Sequence, residues 1–155
     1  YVERNDWGIY NQNSHATMTG VFVRDNLSTG LVNTGTSAAI LFIADSVVSG
    51  GTLGTNGGGI ANMGIGAQAD VARSAIIENR AAARGGGIYN TGSLTVHESL
   101  ISGNSAPAGA GYVWWGPTSG NSWHTPANGV GGIGSPKRAD SDRAALVSAS
   151  RATAF

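Results

Sequence analysis

Through residue 110, apolar positions recur every second residue in short runs, and each run is closed by glycine, asparagine or serine. Ile88 alternates with Asn90, Leu94 with Val96 and Ser99 with Ile101. A period of two predicts strands, here of three to five residues, and the closing residues are those that take turn and left-handed conformations. No helix-period pattern occurs in this stretch.

The runs belong to a repeat. Gly86-Gly87-Ile88-Tyr89-Asn90 is matched by Gly58-Gly59-Ile60-Ala61-Asn62, by Gly30-Leu31-Val32-Asn33 and by Gly8-Ile9-Tyr10-Asn11. The anchor glycines Gly8, Gly30, Gly59 and Gly87 lie 22, 29 and 28 residues apart, and a degraded fifth copy begins 24 residues later at Gly111-Tyr112-Val113-Trp114. Leu94 to Asn104 aligns without gaps on Ala69 to Asn79 and on Leu41 to Gly51, which puts Ser46, Ser74 and Ser99 in one column and Val48, Ile76 and Ile101 in another. The earliest copy allows two alignments: Val21 to Asn26 fits Leu41 to Ser46, or Asn26 fits Asn104.

Three short strands and three turns repeated in tandem, with like residues recurring once per repeat, predict an all-β chain. The expected architecture is a right-handed parallel β-helix of about four to five coils with an irregular C-terminal cap. Hairpins would instead place turn signals every 8 to 12 residues. Each coil buries too little apolar surface to stand alone, so stability must come from neighbours and the ends must be covered. Tyr1 to Trp7 is the expected cover at the N-terminal end, and self-association through the solenoid ends is the corresponding hazard. Stacked in register, Asn11, Asn33, Asn62 and Asn90 would pass amide hydrogen bonds from coil to coil, and Asn79 with Asn104 would begin a second ladder.

Gly85 to Asn104, with its Gly-Gly-Gly-Ile-Tyr-Asn, Gly-Ser-Leu-Thr-Val and Ser-Leu-Ile-Ser-Gly-Asn, resembles the repeat of polymorphic outer-membrane proteins and related bacterial surface adhesins. The likeness covers residues 8 to 110. It implies an extracellular or cell-surface setting and a structural or adhesive module without catalysis of its own, recognising a carbohydrate or other cell-surface ligand on its side wall or on a loop. The inserts Gly50 to Gly57 and Arg80 to Arg84 are the expected loops. The same solenoid also hosts polysaccharide-acting enzymes, so a lyase-like activity or a carbohydrate-binding module is the alternative.

Composition narrows the chemistry. Charged residues are only 12% of the chain, net charge is zero, Lys137 is the single lysine and cysteine is absent, which excludes thiolate metal sites and a basic nucleic-acid field. There is no Gly-Lys-Ser/Thr, no Gly-x-Ser-x-Gly and no His-Glu-x-x-His. The longest apolar run, Ala38 to Ala44, is far too short to span a bilayer, and no export signal is visible at the start. The catalytic candidates are Asp45, Asp70, Arg73 and Glu98, of which Asp45, Arg73 and Glu98 share one place in successive coils. A carboxylate cluster there could hold calcium under the lyase alternative; otherwise no cofactor or metal is expected. The same column serves equally as a ladder of exposed ion pairs.

From Trp114 the pattern changes. Trp114, Trp115, Trp123 and His124 either cover the last coil or form a platform for sugar rings. Residues 1–128 are expected to form the solenoid with this cap, and 129–155 a Gly/Ala/Ser-rich tail, either without fixed structure or holding a short helix that Asp140 or Ser141 would start and Val147 end.

Overall fold

The computed structural model describes residues 1–52, 54–114, 121–123 and 145–146, the strands from residue 112 onward by backbone only. The chain winds as a parallel β-solenoid of about four turns. Each turn lays one strand on each of three sheets. Sheet I stacks Ile9–Gln12, Leu31–Thr34, Ile60–Met63, Ile88–Asn90 and Tyr112–Trp114. Sheet II stacks His15–Thr19, Ala39–Ala44, Ala67–Ala72, Ser93–His97 and Asn121–Trp123. Sheet III stacks Val2–Glu3, Phe22–Arg24, Val47–Ser49, Ala75–Ile77, Leu100–Ser102 and Ala145–Leu146. All these pairings are parallel except the last, where Ala145–Leu146 runs antiparallel to Leu100–Ile101. Those two residues, expected in a tail or a short helix, thus join the edge of sheet III; the remainder of 129–155, and the domain boundary at 128, lie outside the described residues.

Register is strict. Ile60 faces Leu31 on one side and Ile88 on the other, and the fifth copy continues the frame with Tyr112 beside Ile88. Inward rows run Leu31–Ile60–Ile88, Leu41–Ala69–Leu94, Ile43–Val71–Val96 and Val23–Val48–Ile76–Ile101, and together they make one continuous core. A one-residue slip would turn every one of these side chains to solvent, so the alternation in the sequence fixes the pairing.

The anchor glycines have a steric cause. A Cβ on Gly59 would lie 2.6 Å from the carbonyl oxygen of Gly87, and one on Gly30 would lie 2.9 Å from that of Gly59. At this corner successive coils touch backbone to backbone, and no other residue fits between them.

The first copy is resolved by register. Ala16 and Met18 pair with Leu41 and Ile43, while Val23 pairs with Val48, so Asn26 stands three residues beyond the Val48–Ile76–Ile101 row, in the position of Asn79 and Asn104. The inserts also differ from the expected free loops. Gly54–Asn56 and Ala81–Arg84 pair as a small fourth sheet, and Arg80 and Arg84 form single bridges to Ser105 and Ala108 in the next coil. The extra residues therefore extend the wall coil by coil.

Candidate functional site

Two kinds of polar column run the length of the solenoid, one inside it and one on its corners. Inside, the Asn11 Nδ2 donates to Asn33 Oδ1 at 2.7 Å, Asn33 Nδ2 to Asn62 Oδ1 at 2.7 Å, and Asn62 Nδ2 to Asn90 Oδ1 at 2.6 Å. Each of these amides also donates to a main-chain carbonyl at the corner between sheets I and II: Asn11 to Ser14, Asn33 to Ala39 and Asn62 to Ser93. All four asparagines are buried. A buried amide with partners on both sides is stabilising, whereas one unmatched rung would carry a desolvation penalty.

A second ladder stands at the far corner. Asn104 Oδ1 accepts from both the backbone N–H and the Nδ2 of Asn79, and Asn79 Oδ1 accepts from the N–H of Gly51. Asn26 Oδ1 accepts from the N–H of Asn5. Between these corners the serine column is linked in the same manner: Ser46 N–H donates to Ser74 Oγ, and Ser74 N–H to Ser99 Oγ, both at 3.1 Å. Each of the three hydroxyls donates to the carbonyl two residues before it.

The charged column occupies the turn just before those serines. Asp45, Arg73 and Glu98 all have positive φ, at 51°, 44° and 50°, and Gly20 holds the same place in the first coil. Arg73 grips Asp45 through two bonds of 2.8 Å, from Nε and from Nη2, with both side chains about half exposed. That hydrogen bond, aided by the charge of Arg73, holds the Asp45 carboxyl below its usual range, and Asp45, with Glu98 adding its charge, raises Arg73 further.

Asp70 does not join this group. It lies on the outer face of sheet II, where its Oδ1 is 3.1 Å from His97 Nε2. The four catalytic candidates are thus divided between an Asp45–Arg73 pair flanked by Glu98 and an Asp70–His97 pair. Among the described residues no three His, Asp or Glu side chains come close enough to hold a metal ion.

Of the aromatic candidates, Trp114 and Trp123 lie on strands that pair with Ile88–Asn90 and Ser93–His97, while their side chains, and all of Trp115 and His124, fall outside the described residues. The exposed aromatic surface that the structure does describe is at the opposite end. Tyr1 stacks on Phe22 with ring centroids 5.2 Å apart, and the Arg24 guanidinium sits 5.3 Å from the Tyr1 ring while its Nε binds Glu3. Trp7 stacks on Tyr10 at 5.1 Å, and its indole N–H reaches Ser28 Oγ. Sequence reasoning treats Tyr1 to Trp7 only as a cover. The available signal was Tyr10 itself, whose place in the Gly-Ile-Tyr-Asn phrase marks it as outward-facing.

These features define a parallel β-solenoid held by internal amide and hydroxyl ladders, with paired charges on its corners. No family profile matches the sequence, and neither does any curated protein or solved structure. No helix among the described residues is long and apolar enough to cross a membrane.

Proposed function

We propose that the chain is a structural or adhesive solenoid module of an extracellular or surface bacterial protein, without catalysis of its own, presenting its wall to a carbohydrate or other cell-surface ligand. The observation that carries this reading is how the acidic side chains are engaged. Asp45 and Asp70, the acids best placed for chemistry among the described residues, each face a single basic partner on the adjacent coil, an arrangement that ties coils together and keeps these two acids apart from each other. The extracellular setting is supported by the likeness of Gly85 to Asn104 to bacterial surface repeats.

Incubation with a panel of acidic polysaccharides, with and without calcium, tests the reading. Absorbance of unsaturated products should stay flat in every case, calcium should leave the unfolding temperature unchanged, and protein-coated beads should adhere to immobilised glycans or to cells. Product that grows with protein concentration would overturn it in favour of the lyase-like alternative.

A further inference from the structure

A strand buried on one face normally turns polar residues outward on the other. Sheet II mostly obeys: Gln68, Asp70, Thr95 and His97 stand on its outer face, beside Ile40 and Phe42. Sheet III departs from the rule. Its inward positions are Val23, Val48, Ile76 and Ile101, so the residue before each of these faces outward. Those residues are Phe22, Val47, Ala75 and Leu100, and they stack in strict register as one apolar row along four coils. Ile77 widens the row on the third coil, between Ser49 and Ser102. Phe22 is 43% exposed, and Val47, Ala75, Ile77 and Leu100 are each partly exposed. An outward apolar row of this length marks a surface that something else covers.

Two columns of corner residues with positive φ rim the row. Asp45, Arg73 and Glu98 precede the strands, while Asp25 and Glu78, alternating with Gly50 and Gly103, follow them. The basic groups nearest the row are engaged, Arg73 by Asp45 and Arg24 by Glu3. Asp25, Glu78 and Glu98 form no salt bridge among the described residues; Arg4, at the head of the second column, is the one cation on the rims in the same condition. The charge left over on this wall is therefore acidic. It is strongest on the third and fourth coils, where Glu78 and Glu98 stand on opposite rims.

We propose that the outer face of sheet III docks an amphipathic helix of a partner protein, apolar along its middle, basic on both flanks and lying along the solenoid axis. The interior strands of the sheet are already paired on both sides, so an extended chain finds no edge there, and a sheet face is covered by a helix or by another sheet. The spacing suits a helix. Coils repeat at about 4.8 Å and helical turns at about 5.4 Å, so one apolar side chain per turn meets one residue of the row, and the row, about 14 Å long, takes about ten helical residues. Corner to corner the wall is about 16 Å wide against a helix of about 10–12 Å, which leaves lysine or arginine stems to reach the acids on either rim. Charge decides among occupants. A second copy of this chain would set acidic rims against acidic rims, and an anionic bilayer would be repelled. The row runs along the side of the solenoid, so the inference does not depend on how either end is finished, and it rests on the fold and not on the adhesive reading.

The test uses the whole 155-residue chain and a fluorescein-labelled helical peptide. The peptide has about fourteen residues, with leucine along one face and lysine on both flanks, and its control carries glutamate in place of lysine. In fluorescence anisotropy the lysine peptide should bind at least tenfold more tightly than the glutamate peptide, an advantage that shrinks in high salt. Leu100→Asp should weaken binding about tenfold or more. Glu78→Gln combined with Glu98→Gln, which leaves the apolar row intact, should cut the preference for lysine severalfold, and Gln68→Asp on sheet II should change nothing. Circular dichroism would show each variant folded. Failure of the lysine peptide to bind, equal binding of the two peptides, or binding indifferent to Leu100→Asp would overturn the proposal. Self-association in sedimentation velocity that Leu100→Asp abolishes would overturn it in favour of a second copy, and binding to phosphatidylcholine vesicles abolished by the same variant would overturn it in favour of a bilayer.

Discussion

The first coil and the third are written with nearly the same phrase and end in different environments. Gly8-Ile9-Tyr10-Asn11 and Gly59-Ile60-Ala61-Asn62 place their isoleucine and asparagine identically, yet Ile60 is sealed and Ile9 is only partly covered. The same contrast holds on the outer face of sheet I, where Tyr10 is 46% exposed and Tyr89, in the equivalent position one coil beyond Ala61, is 7% exposed. Local sequence is nearly constant between these coils and the number of neighbours is not. Stability in such a fold therefore resides mainly between coils, and identical substitutions should cost different amounts according to their distance from the end.

The largest difference is expected on the amide ladder. Asn62→Ala would remove three buried hydrogen bonds, the one Asn62 accepts from Asn33 and the two it donates to Asn90 Oδ1 and the carbonyl of Ser93, while Asn33 Nδ2 keeps Ala39 and Gln68 and Asn90 Oδ1 keeps the N–H of Gly92, so at about 0.5–1.5 kcal/mol for each bond the loss should reach roughly 2–4 kcal/mol. Asn11→Ala removes a rung that is bonded on one side only and should cost roughly 1 kcal/mol. Urea titration of the two variants measures both, and equal losses would break the comparison.

Apolar truncation comes next. Ile60→Ala empties a site enclosed by Leu31 and Ile88 and should destabilise by roughly 2–5 kcal/mol. Ile9→Ala removes a side chain that still meets water and should cost about 1 kcal/mol. In hydrogen exchange, the amides of Ile9–Gln12 should open well before those of Ile60–Met63, because terminal coils fray from the end.

The corner glycines sharpen the point by separating space from conformation. Gly59→Ala would push a methyl group against the carbonyl oxygen of Gly87, with rigid backbone on both sides, and a loss of roughly 2–3 kcal/mol should follow as coils are forced apart. Gly20 has φ of 66° and nothing within 4 Å of its added Cβ, so Gly20→Ala meets only backbone strain, about 1 kcal/mol. Asp45, Arg73 and Glu98 accept that same conformation in later coils.

Much of this architecture was legible in the residues. The spacing of Gly8, Gly30, Gly59 and Gly87 and the gapless match of Leu94–Asn104 to Ala69–Asn79 carried the repeat, its register and its strand content, because side-chain alternation and backbone packing at the glycine corner both act within one coil. The fourth sheet was not legible. Ala81–Arg84 and Gly54–Asn56 offer alanine, glycine and threonine, with no apolar alternation, and pair with an irregular register, so only the stacking of the flanking coils brings them together. The first copy was ambiguous for a related reason. Val21 stands where later coils have serine, and one column without its usual residue is enough to let two alignments compete.

For the charged corner, sequence placed Asp45, Arg73 and Glu98 in one column but grouped Asp70 with them. The choice of His97 as the partner of Asp70 depends on which face of sheet II each residue occupies. It follows only once Ala72 is set opposite His97, which puts Asp70 and His97 on adjacent strands.

The smallest expected effect separates the end from the interior by pH. Arg73 in the interior and Arg24 at the end hold Asp45 and Glu3, respectively, below their ordinary values of 3.8 and 4.5, in each case first through the hydrogen bond. A carboxyl whose folded value is lowered contributes stability that is fully present above its unfolded value and is lost as pH falls through the folded one, so both windows open below those ordinary values. Both pairs are exposed and screened, so the shifts should be smaller than any above and should fade in high salt. Their readouts should nonetheless differ. Asp45 and Arg73 join two interior coils, so the unfolding temperatures of the wild type and Asp45→Asn should converge as the solution is acidified through that window. Glu3 ties down only the outermost strand, so Glu3→Gln should leave the global transition in place and accelerate exchange of the amides in Val2–Glu3 and Phe22–Arg24 at neutral pH, a difference that acidification removes. A Glu3→Gln variant that lowered the global unfolding temperature as much as Asp45→Asn would mean that the first coil unfolds together with the rest, and the contrast between end and interior would fail.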